Sequence, residues 1–187
     1  GIQRFNVTVE GDATQPSDLA SLRSTHNTLE EVVVVGTGGA SLTIGNSNTV
    51  ANTSANTPNQ DPTTTNPVGL TTAVNNALKD VRLFNASGLE ALLGAPSVPS
   101  VEVHAYLSDE VVAKYMDLTD GQTAAAADNA DFVYTLTGGN DTLNINLSKD
   151  NLAASGTATR EDFTFTANGD AGDDTILVQI GDGVGTA

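Results

Sequence analysis

Two stretches in the C-terminal part of the chain spell the same phrase, and this repeat constrains the fold more than any other feature. Residues 131–147 read Asp-Phe-Val-Tyr-Thr-Leu-Thr-Gly-Gly-Asn-Asp-Thr-Leu-Asn-Ile-Asn-Leu. Residues 162–180 read Asp-Phe-Thr-Phe-Thr-Ala-Asn-Gly-Asp-Ala-Gly-Asp-Asp-Thr-Ile-Leu-Val-Gln-Ile. Each is an aromatic-containing strand, a Gly-rich acidic turn and an alternating strand. The copies lie 31 residues apart at Asp131 and Asp162 but 33 apart at Asp141 and Asp174, which reads as two extra residues in the second turn. Residues 32–44 read as a third copy whose turn holds no acid. A strand–turn–strand unit of this size cannot bury both faces alone, whereas stacked copies can. The sequence therefore predicts a mainly β fold of stacked β-solenoid or β-roll-like repeats with a few short helices. A β-sandwich built from ordinary hairpins is the alternative.

The rest of the chain is read around that repeat. Ile2 to Val9 alternates like a strand, and Val32 to Val35 is a β-branched run of the kind buried on both faces. Ser17 to Leu22 reads as a capped helical turn, Thr71 to Lys79 as a short helix, and Ser108 to Leu118 as a helix with Ser108 as its N-cap. Residues 80–94 begin as a strand and turn at Ser87-Gly88, and Val101 to Leu107 alternates as another strand. Residues 45–67 are rich in Asn, Thr and Pro and cannot form a core of their own, which predicts a long surface loop. The expected organisation is a β segment over 1–45, a loop and short helix over 46–79, and a β-repeat region over 80–187. Together these read as one continuous domain of a longer protein.

Charge narrows the partners. The chain carries 23 acidic and 7 basic residues, a formal net charge of −16. Phosphate neutralisation needs clustered Lys and Arg, so nucleic acid is excluded as a partner. No apolar run is long enough to span a membrane. The absence of cysteine removes disulfides and thiolate metal sites, and agrees with export. From Asp109 onward the chain holds 14 acidic and 3 basic residues, net −11, so the attraction for cations is concentrated there. An acidic solvated face is the plain reading; divalent-cation binding is the sharper one.

The acidic turns carry that sharper reading. Gly169-Asp170-Ala171-Gly172-Asp173-Asp174-Thr175-Ile176-Leu177 fits G-x-x-G-x-D-x-U-x, with U a large aliphatic, and Gly139-Asn140-Asp141-Thr142-Leu143 is the second half of the same pattern. Glycines allow a sharp turn that exposes carbonyl oxygens, the Asp supplies a hard carboxylate, and calcium takes six to eight such oxygens. The candidate metal ligands are therefore Gly139, Asp141, Gly169, Asp170, Gly172, Asp173 and Asp174, with calcium as the expected cofactor. The alternative is an Asp/Gly turn in left-handed conformations with no metal. If the repeats form stacked coils, Asp141 and Asp174 come together.

These turns resemble the calcium-binding nonapeptide of RTX β-rolls, except that Asp170 stands where a second Gly is usual. Other phrases are similar to RTX-type bacterial S-layer proteins and giant adhesins: the opening strand Ile2 to Gly11, the run Asn85-Ala86-Ser87-Gly88-Leu89, and Phe132 to Leu147. The resemblance covers about half the chain in short motifs. It implies a calcium-stabilised β-solenoid, secretion without a cleaved N-terminal signal, and self-association into a surface layer or filament at the bacterial cell surface.

No catalytic residues are expected. The two histidines, His26 and His104, stand 78 positions apart, and neither a nucleophile elbow nor a phosphate-binding loop occurs. Asp173-Asp174 would serve a glycosidase only in a groove with aromatic sugar platforms, and aromatics are few. Three classes stay open: a structural assembly protein, a calcium-dependent adhesin or module for a cell-surface glycan, and a polysaccharide-active β-helix enzyme.

Overall fold

The computed structural model describes residues 1–24, 27–45, 77–91, 93, 98–108, 111–112, 115, 131–148 and 164–181. The described chain is mainly β. Its strands are β1 (Arg4–Thr8), β2 (Ser17–Leu19), β3 (Glu31–Gly36), β4 (Leu42–Ile44), β5 (Leu78–Lys79), β6 (Leu83–Leu89), β7 (Val101–Leu107), β8 (Phe132–Thr135), β9 (Thr142–Ser148), β10 (Phe165–Asn168) and β11 (Thr175–Gly181). They form two sheets. One runs β1-β3-β6-β8-β10 and the other β2-β4-β7-β9-β11, with β5 also paired to β7. Every pairing is parallel. Within each sheet the strands lie in chain order, and the chain passes from one sheet to the other between almost all successive strands.

This arrangement answers the hairpin alternative. The strands that flank the two acidic turns, β8 with β9 and β10 with β11, lie in different sheets and do not pair with each other. A parallel neighbour needs a long return connection. Here the strand of the opposite sheet supplies it, and the inner faces of the two sheets cover each other.

The inward rows explain the alternation in the sequence. Along one sheet, Phe5, Val32, Phe84, Tyr134 and Ala167 share a register row. Along the other, Leu19, Ile44, Val103, Leu143 and Ile176 do the same. In the middle of the stack these positions are buried, and they belong to one continuous hydrophobic core drawn from both sides of residue 45. Each fully buried aliphatic or aromatic side chain contributes roughly 1.5–3 kcal/mol. Aromatics cluster within it: Phe84 and Tyr134 lie 5.6 Å apart between ring centroids, and Tyr134 and Phe165 5.0 Å apart. The Tyr134 hydroxyl, wholly inside, donates to Val81 O at 2.8 Å, which satisfies a polar atom that burial would otherwise make costly.

Several local expectations are corrected. The two repeats keep one offset of 33 throughout: Phe165 pairs with Phe132 and Thr175 with Thr142. Phe165, not Phe163, is therefore the partner of Phe132, the expected offset of 31 at the start of the repeat is corrected by two residues, and the second turn holds no insertion. Ser17–Leu19 is strand β2, not a helical turn, because its backbone is taken up by pairing with β4. Leu78–Lys79, expected at the end of a helix, is strand β5; residues 71–76 of that expected helix and residues 46–67 of the expected loop lie outside the described residues. Val32 to Val35 is not buried on both faces: Val32 and Val34 point inward, whereas Val35 is 39% exposed. Asn85 to Leu89 does not turn. It stays within β6, where a bulge shifts the register against β3 between Val33 and Val35. The Asn85 side chain takes hydrogen bonds from the Ser87 amide at 3.0 Å and the Ser87 hydroxyl at 2.7 Å, the local bonding that a strand kink invites. Helical conformation at Val111, Val112 and Tyr115 agrees with the helix expected from Ser108.

The second sheet has a seam. β4 covers β7 at Val101 to Val103, and β5 covers it at Ala105 and Tyr106. Ile44 pairs with Val103 and Leu78 with Ala105, so one row is made by two segments with residues 46–76 between them. The chain leaves the row at Gly45, whose φ is 84°, a left-handed conformation suited to glycine.

Candidate functional site

The two acidic turns stack directly. With an offset of 33, Gly139 faces Gly172, Asn140 faces Asp173 and Asp141 faces Asp174. The Asp141 amide donates to Asp174 Oδ1 at 3.0 Å, the Asp173 amide to Asn140 Oδ1 at 3.0 Å, and the Thr175 amide to Asp141 O at 2.8 Å. The structure thus brings together Gly139, Asp141, Gly172, Asp173 and Asp174. Gly169 sits against the Asp174 carboxylate, where a Cβ would collide with it. Asp170 is on the exposed side of the same turn and takes a φ of 65°, which Asp tolerates better than most residues.

The glycines have a steric reason. A Cβ at Gly172 would run into Gly139 O, one at Gly139 into Pro99 O, and one at Gly38 into Gly11 O. Successive turns lie backbone on backbone at this corner, too close for any side chain. The third copy, which lacks an acid, follows the same rule with Gly38.

Asp141 is the most enclosed acid of the site, 1% exposed. Its Oδ1 accepts the Val101 amide at 2.7 Å and lies 2.8 Å from the Thr137 hydroxyl; its Oδ2 accepts the Thr137 amide at 2.8 Å. It therefore ties its own turn to the coil before it. Asp174 repeats the move one coil later through the Asp141 amide. One position earlier in the register, Ser41 Oγ accepts the Ser100 amide at 3.0 Å, a tie that runs the other way, to the strand layer after it. Sequence reasoning missed Thr137, Ser41 and Ser100. The spacing of four between Thr137 and Asp141 was the available signal for the first; the serines offered none.

Burial pushes the Asp141 carboxyl above its ordinary value of 3.8; the bonds from Val101 and Thr137 pull the other way, and the Asp174 charge adds to the rise. The Thr137 hydroxyl is 2.8 Å from both Asp141 Oδ1 and Pro99 O. It has one proton for these two acceptors. A carboxyl with a raised folded pKa binds its proton more readily folded than unfolded. Its contribution to stability is complete below the unfolded value and is lost as pH rises through the folded one. The stability advantage of the native chain over Asp141→Asn is therefore expected to be larger near pH 3 than near pH 7 in paired urea titrations. An advantage that grows with pH would show the carboxylate to be the favoured form.

Calcium, implied by the resemblance, is tested against these donors. Asp141 does not fit, because amide and hydroxyl donors occupy both its oxygens. The second turn fits better: Asp170 and Asp173 are exposed, Asp174 is half-buried, and Gly169 and Gly172 leave the backbone bare. Among the described residues no three acidic or histidine side chains converge closely enough to hold an ion, so backbone carbonyls would have to supply much of any shell there.

On the outer face of β7, His104 contacts Glu102 Oε1 at 2.8 Å and Asn144 Nδ2 at 3.3 Å. It is built into a strand-to-strand contact; His26 lies outside the described residues. No described helix is long and apolar enough to cross a membrane. No family model, characterised protein or solved structure matches the chain.

Proposed function

We propose that this chain is a structural, calcium-binding segment of a secreted bacterial cell-surface protein, a β-solenoid similar to those of RTX-type S-layer proteins and adhesins, and that it self-assembles into a layer or filament outside the cell. The observation that supports this reading is the strict parallel order of both sheets, with two Gly/Asp turns 33 residues apart stacked backbone on backbone. Such a stack grows by adding identical layers and exposes a long polar surface, which suits a scaffold. An acidic, lysine-poor surface suits an environment rich in divalent cations. In this reading Asp170, Asp173 and Asp174, with carbonyls of the Gly169–Gly172 turn, hold calcium and stiffen the corner, while Asp141 acts as an internal tie.

Calcium binding to the native state alone raises stability by RT ln(1 + [L]/Kd). Millimolar calcium, compared with EDTA and with magnesium, is expected to raise the thermal midpoint by several degrees. Asp173→Ala should remove that increment. A midpoint indifferent to calcium would leave the stack without its proposed ion.

A further inference from the structure

The sequence Asn-x-Ser/Thr occurs at Asn6, Asn52, Asn85, Asn140 and Asn146. At Asn6, Asn85 and Asn140 both polar side chains are among the described residues, and the three are not alike. Asn6 Oδ1 lies 3.3 Å from Arg4 Nε, and Asn140 Oδ1 takes the Asp173 amide of the next turn. Asn85 Oδ1 takes both donors of its own serine, the Ser87 amide at 3.0 Å and the Ser87 hydroxyl at 2.7 Å. We propose that Asn85 is a glycosylation acceptor of the folded chain. Its Nδ2 takes a sugar from a donor activated by a diphosphate at the anomeric carbon, delivered by a separate glycosyltransferase. The site depends on neither calcium nor self-assembly.

The bulge in β6 makes this arrangement. The step from Val33 to Val35 on β3 is opposed by the longer step from Asn85 to Gly88 on β6. The extra residue bends β6, and Ser87 reaches back to Asn85. Both residues are exposed. β6 is the middle strand of its sheet, with β3 and β8 on either side, so this exposure does not depend on what lies beyond either end of the stack. Among the described residues no acceptor takes the Asn85 Nδ2 hydrogens. A sugar is bulky and needs such an open surface. The chemistry fits as well. A carboxamide nitrogen is a weak nucleophile because its lone pair is shared with the carbonyl. Attack is eased as Nδ2 gives up a proton, and the negative charge then gathers on Oδ1, where two hydrogen bonds already stand. The bond from Nδ2 to the anomeric carbon forms as the bond from that carbon to the diphosphate oxygen breaks. The diphosphate leaves with the bonding pair, and one Nδ2 proton passes to a base of the transferase. The hydroxyl that the acceptor motif requires two residues on is here already on the reacting amide.

The test reads the sugar by mass spectrometry of tryptic peptides. Cleavage at Arg82 and Lys114 releases residues 83–114, whose only asparagine is Asn85. The folded chain is incubated in two arms, with UDP-glucose and the soluble fraction of its own cells, and with membranes of those cells carrying polyisoprenyl-diphosphate sugars. Chain recovered directly from the cells is read beside them. A sugar on Asn85 is expected, and the arm that adds it names the donor as nucleotide-linked or lipid-linked. Asn6 and Asn140 should stay bare. Ser87→Ala should leave Asn85 bare, whereas Ser87→Thr, which keeps the hydroxyl, should retain the sugar; melting curves confirm that both variants are folded. A bare Asn85 in both arms and in the cellular chain overturns the proposal. So does a sugar that survives Ser87→Ala, or one spread equally over Asn6, Asn85 and Asn140, because the hydrogen-bonded geometry would then select nothing.

Discussion

Asp141→Ala is expected to lower the unfolding free energy by about 2–5 kcal/mol, by the same amount with calcium as with EDTA. The substitution leaves the amides of Val101 and Thr137 inside the molecule without their acceptor, and each buried donor left unmatched costs roughly 1–3 kcal/mol. The Thr137 hydroxyl keeps Pro99 O as a partner, so it adds little. Asp141→Asn retains one acceptor oxygen but turns an NH2 toward a donor, and should recover at most about half of the loss. Asp173→Ala, on the exposed side, should cost within about 0.5 kcal/mol in EDTA. Urea unfolding of the three variants separates a tie from a ligand. A loss at Asp141 that appears only in calcium would return that residue to the ion.

The second large effect is expected at Gly139. A methyl group there meets Pro99 O directly, with the backbone of Val98 also within 3.0 Å of the new carbon. Neither neighbour is the far end of a flexible side chain, so relief requires the turns of two coils to separate. Gly139→Ala should destabilise by more than about 3 kcal/mol, in the range reserved for severe overpacking. Gly138→Ala is the internal control, because the nearest atom to a Cβ at that position is Val98 Cγ1 at 3.8 Å. It should change stability by less than about 0.5 kcal/mol. Equal effects at the two glycines, read from thermal or urea unfolding, would mean that the corner is looser than drawn.

The strands were legible because their signal is local. Val101 to Leu107 alternates in composition and lines up one face to the core, and Thr142 to Ser148 does the same. The stacking of Asp141 with Asp174 was also legible, since two matching turns at a fixed distance have few other ways to share a core. What composition could not give was register. Phe163 and Phe165 are aromatics two positions apart in the sequence, and a period of two does not tell them apart. Only the pairing across coils decides between them. The short strands Ser17–Leu19 and Leu78–Lys79 were missed for a related reason: two or three residues carry no period, and they are strands only because a neighbouring row accepts their backbone. The role of Asp141 was hidden by chemistry. A carboxylate in a glycine turn serves equally to collect cations or amides, and nothing in the residue types says that Val101 and Thr137 arrive first.

The seam between Ile44 and Leu78 separates the length of the chain from the length of the stack. A row of β-structure passes from β4 to β5 with only His104 of β7 between their pairings, although the polypeptide travels through residues 46–76 between them. The layers on either side meet the backbone of Ile44 and Leu78, and the chain leaves the row at Gly45 and rejoins it at Ala77. Such a doorway permits cargo to be exchanged on a conserved scaffold: tags, epitopes or whole small domains could be carried at a fixed height along the stack while the rows beneath keep their register.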